Sequence, residues 1–168
     1  MVSTTAVMET QFAEEFREII KAETDPTLRK LREEAFAAFS LSGFPAAKNE
    51  DWKYTSVAPI AKENWTVSPF SPEFSPASEN SGEKLAAFNF RRNGFTSLNV
   101  AFGNFKVIRI PKETSVTEPI EFHFAADENA AIFPHILVIA EAGSKATIVE
   151  SYASTAKGFT NAAVQIVV

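Results

Sequence analysis

Ala162-Ala163-Val164-Gln165-Ile166-Val167-Val168 reads as a strand of almost wholly apolar character, rich in β-branched side chains, with no charge, Pro or capping helix after it. Natural sheets protect their edges, and stacked solenoids carry a polar cap at each end. This bare strand therefore predicts an unfinished stack, continued by further protein from the same gene or from a partner. Working back along the chain, Ile120, Phe122 and Phe124 alternate with Glu121, His123 and Ala125, as in a strand with one buried face. Val107-Ile108-Arg109-Ile110, Ile136-Leu137-Val138-Ile139 and Ala146-Thr147-Ile148-Val149 are further short strands. Compact breaks at Pro111-Lys112-Glu113, Ala126-Asp127-Glu128-Asn129 and Glu141-Ala142-Gly143-Ser144-Lys145 separate them. Short strands at near-regular intervals fit a sandwich, a barrel or a solenoid. The uncapped tail favours the solenoid, with β pattern expected from Leu85 onward.

The opposite end of the chain has a different period. Met8, Phe12, Phe16 and Ile19 recur at helical spacing, with Glu14, Glu15, Glu18 and Lys21 on the remaining faces. Asp25-Pro26 reads as a break and a restart, because Asp accepts hydrogen bonds from free amides and Pro suits a first helical turn. Leu28, Leu31, Ala35 and Phe39 then form the apolar face of a second helix, which Ser42-Gly43-Phe44-Pro45 ends. Between the two regions, TVSPFSPEFSPASENSGEK (residues 66–84) offers three Ser-Pro steps and few core anchors beyond Phe70 and Phe74. The organisation predicted is a helical subdomain over 1–65, a Ser/Pro-rich linker over 66–84 and a β domain over 85–168.

Composition excludes several chemistries. The 168 residues carry 16 basic and 21 acidic side chains, a net charge of −5, and the adjacent basic pairs are Arg29-Lys30 and Arg91-Arg92. A nucleic-acid surface needs clustered cations to gain from counterion release, so none is expected. No apolar run approaches the roughly 20 residues that span a bilayer, and Met1–Val7 lacks the basic start and apolar core of a signal peptide, so a cytoplasmic protein without a membrane partner is expected. Cys is absent, which removes disulfides, thiolate nucleophiles and cysteine-ligated clusters from this chain. Sixteen Phe against two Tyr is an inventory for packing rather than catalysis.

Candidate sites are few. His123 and His135, with Glu121 and Asp127 near in sequence, match no metal-ligand spacing and read as surface histidines. Gly143-Ser144-Lys145 lacks the first Gly and the following helix of a phosphate loop and reads as a tight turn. Ser151 and Ser154 have no neighbouring base in sequence, and Glu150 reads as an outward carboxylate. No catalytic, cofactor or metal residue is assigned. The most informative segment is Asn49-Glu50-Asp51-Trp52-Lys53-Tyr54-Thr55. In an extended conformation Trp52 and Tyr54 would share one side. They would form an aromatic clamp holding the helices against the β region or, alternatively, a platform for a ligand or peptide.

FPAAKNEDWKYTSVAPI (Phe44–Ile60) resembles the amino-terminal signature of the SufB/SufD family of iron–sulfur cluster assembly proteins, closer to its SufD than its SufB branch. Phe95-Thr96-Ser97-Leu98-Asn99-Val100-Ala101-Phe102, Ile110-Pro111-Lys112, Glu118-Pro119-Ile120 and the stretch from Ile139-Ala140-Glu141 to Ile148-Val149-Glu150-Ser151-Tyr152 continue the resemblance in order. Trp52, Lys53, Tyr54 and Thr55 are its most specific part and serve as a structural signature. Glu113 stands where many relatives have Gly, which suggests a turn of different shape. The resemblance implies an α+β fold, a helical hairpin followed by the first turns of a right-handed parallel β-helix. It implies the amino-terminal part of a SufD-like, non-catalytic scaffold that pairs with SufB through its β-helix and with the ATPase SufC through a carboxy-terminal helical region. The cluster is then cargo of the full complex, and the family's functional His and Cys positions have no counterpart in this shorter chain. A small β-solenoid enzyme or sugar-binding module, a stand-alone interaction domain, and a homo-oligomer formed through the terminal strand are the other readings.

Overall fold

The computed structural model describes residues 4–68, 81–154 and 156–168. Most of the 66–84 linker, with Phe70 and Phe74, lies outside the described residues, as does the side chain of Met8. In chain order the helices and first strand are α1 (Thr4–Ala22), α2 (Pro26–Ser42), α3 (Ala58–Ala61), β1 (Thr66–Val67), α4 (Ser81–Ala86) and α5 (Gly94–Phe102). The remaining strands are β2 (Asn104–Ile110), β3 (Ile120–Phe124), β4 (Ala130–Ile132), β5 (Pro134–Ala140), β6 (Ile148–Tyr152), β7 (Phe159–Thr160) and β8 (Ala163–Val167). The fold is α+β, helices followed by parallel strands in open sheets. Two compact units divide it: Met1–Val67 with Asn89–Gly103, and Ser68–Phe88 with Asn104–Val168. Among the described residues no helix is long and apolar enough to cross a membrane.

The helical unit follows from capping and from phenylalanine. Asp25 is the N-cap of α2 and its Oδ1 accepts from the N–H groups of Thr27 (2.8 Å) and Leu28 (2.9 Å), with Pro26 in the first turn. Gly43 ends the helix at φ 62°, where a side chain would be strained, and donates its N–H to the Phe39 carbonyl at 2.7 Å. Phe12 is fully buried, its ring 6.0 Å from Phe39 and 5.6 Å from Phe102, and Phe16 stacks on Phe36 at 4.2 Å. One charge enters this core: Arg32 pairs through Nε with Glu23 at 3.0 Å and donates from Nη1 to the Ala101 carbonyl at 3.0 Å. Burial pushes the Arg32 pKa down and Glu23 works against it. Removing either partner would strand a buried charge.

Helix α5 replaces part of the β pattern expected from Leu85, since the long strands begin at Asn104. Gly94, Ser97, Leu98, Asn99, Val100, Ala101 and Phe102 are all buried, so α5 is covered on most sides and shows no amphipathic stripe. Its start is nevertheless encoded: the Asn93 side chain accepts from the Thr96 N–H, and Thr96 Oγ1 accepts from the Asn93 N–H, each at 3.1 Å. Gly94 is required by close approach, because a Cβ there would lie 2.0 Å from the Gly43 carbonyl oxygen.

Within the strand unit, the pairings β2–β5, β5–β8, β3–β6 and β4–β7 are all parallel. β5 lies between β2 and β8, β3 pairs with β6, and β4 pairs with β7. Ile120 sits opposite Ile148, Ala131 opposite Phe159 and His135 opposite Ala163, each 28 residues on, while Asn104 sits opposite Pro134, 30 residues on. The core joins Ile110, Phe122, Phe124, Ile132, Ile136 and Val138 from successive strands, with Ala126 from the loop after β3. Strand β6 begins two residues later than Ala146. β4 and β7, at three and two residues, are too short for a periodic signal.

Equivalent turns stack as well. Glu113 (φ 56°) and Gly143 (φ 72°) both adopt the left-handed conformation, and the Glu113 N–H donates to the Ala142 carbonyl at 2.9 Å. The turn thus keeps at Glu113 the left-handed φ that Gly143 has. Glu141 ties the layers together, accepting from Arg109 at 2.7 Å and from the Lys112 N–H at 3.0 Å. These bonds hold its carboxyl below the usual range.

His135 also departs from the expected placement. Instead of lying at the surface it is 1 % exposed in β5, its ring 4.9 Å from Phe88 and 5.1 Å from Phe105. Burial lowers its pKa to about 4 although a Gln165 hydrogen bond opposes this, and Gln165 Nε2 in turn donates to the Lys84 carbonyl at 2.6 Å.

Three outcomes are expected. Glu113→Gly should raise stability by up to about 1 kcal/mol, as the left-handed penalty of a side chain exceeds the entropy of glycine. Gly143→Ala should lower it by roughly 1–2 kcal/mol, both measured by urea unfolding. His135 is neutral in the folded state and binds a proton more readily when unfolded, so its contribution is complete above pH 6.5 and declines towards pH 4. The loss should reach about 3 kcal/mol, and the His135→Asn variant should show a flatter unfolding-midpoint profile over that window.

Candidate functional site

The signature segment is a turn, not an extended strand. Glu50–Trp52 forms a 3₁₀ turn, Asn49 Oδ1 accepts from the Ala46 N–H at 2.9 Å, and the Thr55 N–H donates to the Trp52 carbonyl at 3.0 Å. Asn49-Glu50-Asp51 places acidic side chains where a helical start has free amides, which accounts for the local winding. Trp52 and Tyr54 consequently part company. Trp52 is half-buried with its ring 5.1 Å from Phe95, and Phe44 lies 5.3 Å from the same Phe95 ring. Tyr54 is 91 % exposed, and Lys53, also exposed, holds its ammonium 5.4 Å from the Tyr54 ring centre. A shared face for two aromatics therefore does not exist here.

A polar cleft of about 360 Å³ lies beside this turn, lined among others by Glu50, Asp51, Trp52, Arg91 and Arg92. Arg91 is engaged already: it pairs with Glu34 at 3.0 Å and lies over the Phe90 ring at 4.3 Å. Both signs of charge are present, which suits neither an anion nor a cation strongly.

The second cluster is one that sequence distance concealed. Parallel pairing sets His123 opposite Ser151. His123 Nδ1 shares a short hydrogen bond with Ser151 Oγ, and its Nε2 lies 3.4 Å from Glu121 Oε2. Ser151 therefore does have a base beside it, 28 residues away in sequence. The His123 and Glu121 side chains remain 71 % and 54 % exposed, so the row lies open to water and has no desolvated environment to strengthen its electrostatics. Glu150 is corrected too: it is half-buried and sits opposite the buried Phe122, with the Tyr152 hydroxyl donating to its carboxylate. Burial and that bond push the Tyr152 pKa up. Among the described residues there is no group of three or more His, Cys, Asp or Glu side chains able to hold a metal ion.

A family model described as SufBD protein N-terminal region matches residues 6–81, which include most of α1, all of α2 and α3, and the signature turn. A second, SUF system FeS cluster assembly, SufBD core domain, matches residues 122–168, which hold most of β3 and all of β4 to β8. Comparison with curated proteins and with solved structures gave no match. The two family models fall in sequence order on the helical and the strand regions, and the chain belongs to the SufB/SufD family of the SUF iron–sulfur cluster assembly system.

Proposed function

We propose that the chain acts as part of a SufD-like, non-catalytic scaffold subunit, and that its strands form the first coils of a right-handed parallel β-helix. The observation that carries this reading is the coincidence of the core-domain match over 122–168 with strands that recur at 28-residue spacing in parallel sheets. Such recurrence is the signature of a solenoid, whose rigid stack presents long edges and faces to partners rather than a closed pocket. The absence of Cys fits a subunit that supports assembly while cluster ligands come from elsewhere. Partners on this reading are a SufB-like subunit and the SufC-like ATPase, in the cytoplasm, with the cluster as cargo.

Co-expression of the tagged chain with SufB-type and SufC-type subunits tests the proposal. Retention of the SufB-type subunit through affinity and size-exclusion steps is expected. A chain that retains neither subunit, while remaining folded by circular dichroism, would overturn it.

A further inference from the structure

The segment that carries the family resemblance also walls a cavity that a scaffold role leaves unused. It lies within the helical unit, between the exit of α2 and α3, and its volume is about 700 Å³. Buried Phe39, Pro45 and Val57, with half-buried Phe44, contribute its apolar lining, and Ala58 and Ala61 of α3 add small side chains. The polar lining is sparse and mostly committed: Asn49 Oδ1 accepts from the Ala46 N–H at 2.9 Å, and Ser56 Oγ from the Ala58 N–H at 3.4 Å. Lys48 differs from these. It is the one charged residue of the lining, is exposed, and has no ion-pair partner among the described residues.

Ligand sites are concave, about 300–1,000 Å³, mostly apolar and fixed by a few polar groups. This cavity meets each condition, and its charge has one sign, with no carboxylate to repel an anion. We propose that it binds a medium-chain carboxylate, the alkyl chain against Phe39, Phe44 and Val57 and the anionic head at the Lys48 ammonium. An alkyl chain gains from leaving water without needing hydrogen bonds, which this lining does not offer. The head stays at the solvent edge, where its pairing with an exposed Lys is weak and serves to discriminate acid from alcohol. The inference stands apart from the scaffold reading.

Titration of the ¹⁵N-labelled 168-residue chain with octanoate and with 1-octanol tests it. Saturable amide shifts confined to residues 39–61 are expected with octanoate. Lys48→Gln should weaken octanoate about three- to fivefold and leave octanol unchanged, the size of an exposed ion pair. Ala61→Leu, which fills the cavity, should weaken both about tenfold or more. Because Ala61→Leu also touches α3, the exposed Lys48→Gln variant carries the test independently. No saturable shift up to about 5 mM would overturn the proposal, since even a millimolar site would then be mostly filled. Shifts spread over both units and indifferent to both substitutions would overturn it equally, as would a Lys48→Gln variant that loses octanol and octanoate alike.

Discussion

The parallel register of β5 between β2 and β8 is the constraint on which the strand unit depends. His135 to Ile139 are buried on both faces, so this strand has no solvent side to which a mismatched residue could turn. Alternate residues serve different neighbours. Ile136 and Val138 join the core with Ile110, Phe122 and Ile132, whereas His135 meets Phe88 and Phe105 on the other face. A slip of one residue would exchange these sets and drive an imidazole into the apolar core. The same register fixes what lies outside it. His123 meets Ser151, Glu113 stacks on the Gly143 turn, and Arg109 reaches Glu141, because each pair is separated by close to one strand repeat.

The helical unit is organised by a different economy of groups. Phenylalanine rings from α1, α2 and α5 interlock without hydroxyls to satisfy, and one ion pair, Arg32 with Glu23, holds the α1–α2 turn while also reaching the carbonyl of Ala101. Backbone contact between Gly43 and Gly94 sets how closely α2 and α5 approach. Trp52 belongs to this packing through Phe95, whereas Tyr54 stays in water.

Much of this was legible in the residues. The Asp25-Pro26 restart, the Gly43 exit, the alternation of Ile120 to Phe124 and the apolar run from Ile136 to Ile139 each follow from local chemistry, and each stands in the structure. What escaped was non-local. Helix α5 has apolar and small residues on nearly every side, so its period is invisible and its sole local mark is the Asn93–Thr96 capping box. His135 reads as a surface residue because neither Phe88 nor Gln165 is near it in sequence. The His123–Ser151 pair requires the 28-residue register, which no local motif announces. The winding at Glu50–Trp52 has a local mark in its run of Asn and acids, which the aromatic alternation Trp52-x-Tyr54 masks.

The register itself is open to direct measurement. Nuclear Overhauser contacts between backbone protons of β2, β5 and β8 should link Lys106 with Ile136, and Ile136 with Val164, without the short Hα–Hα contacts of antiparallel strands. Strong Hα–Hα contacts between these strands, or backbone contacts displaced by one residue, would contradict the account.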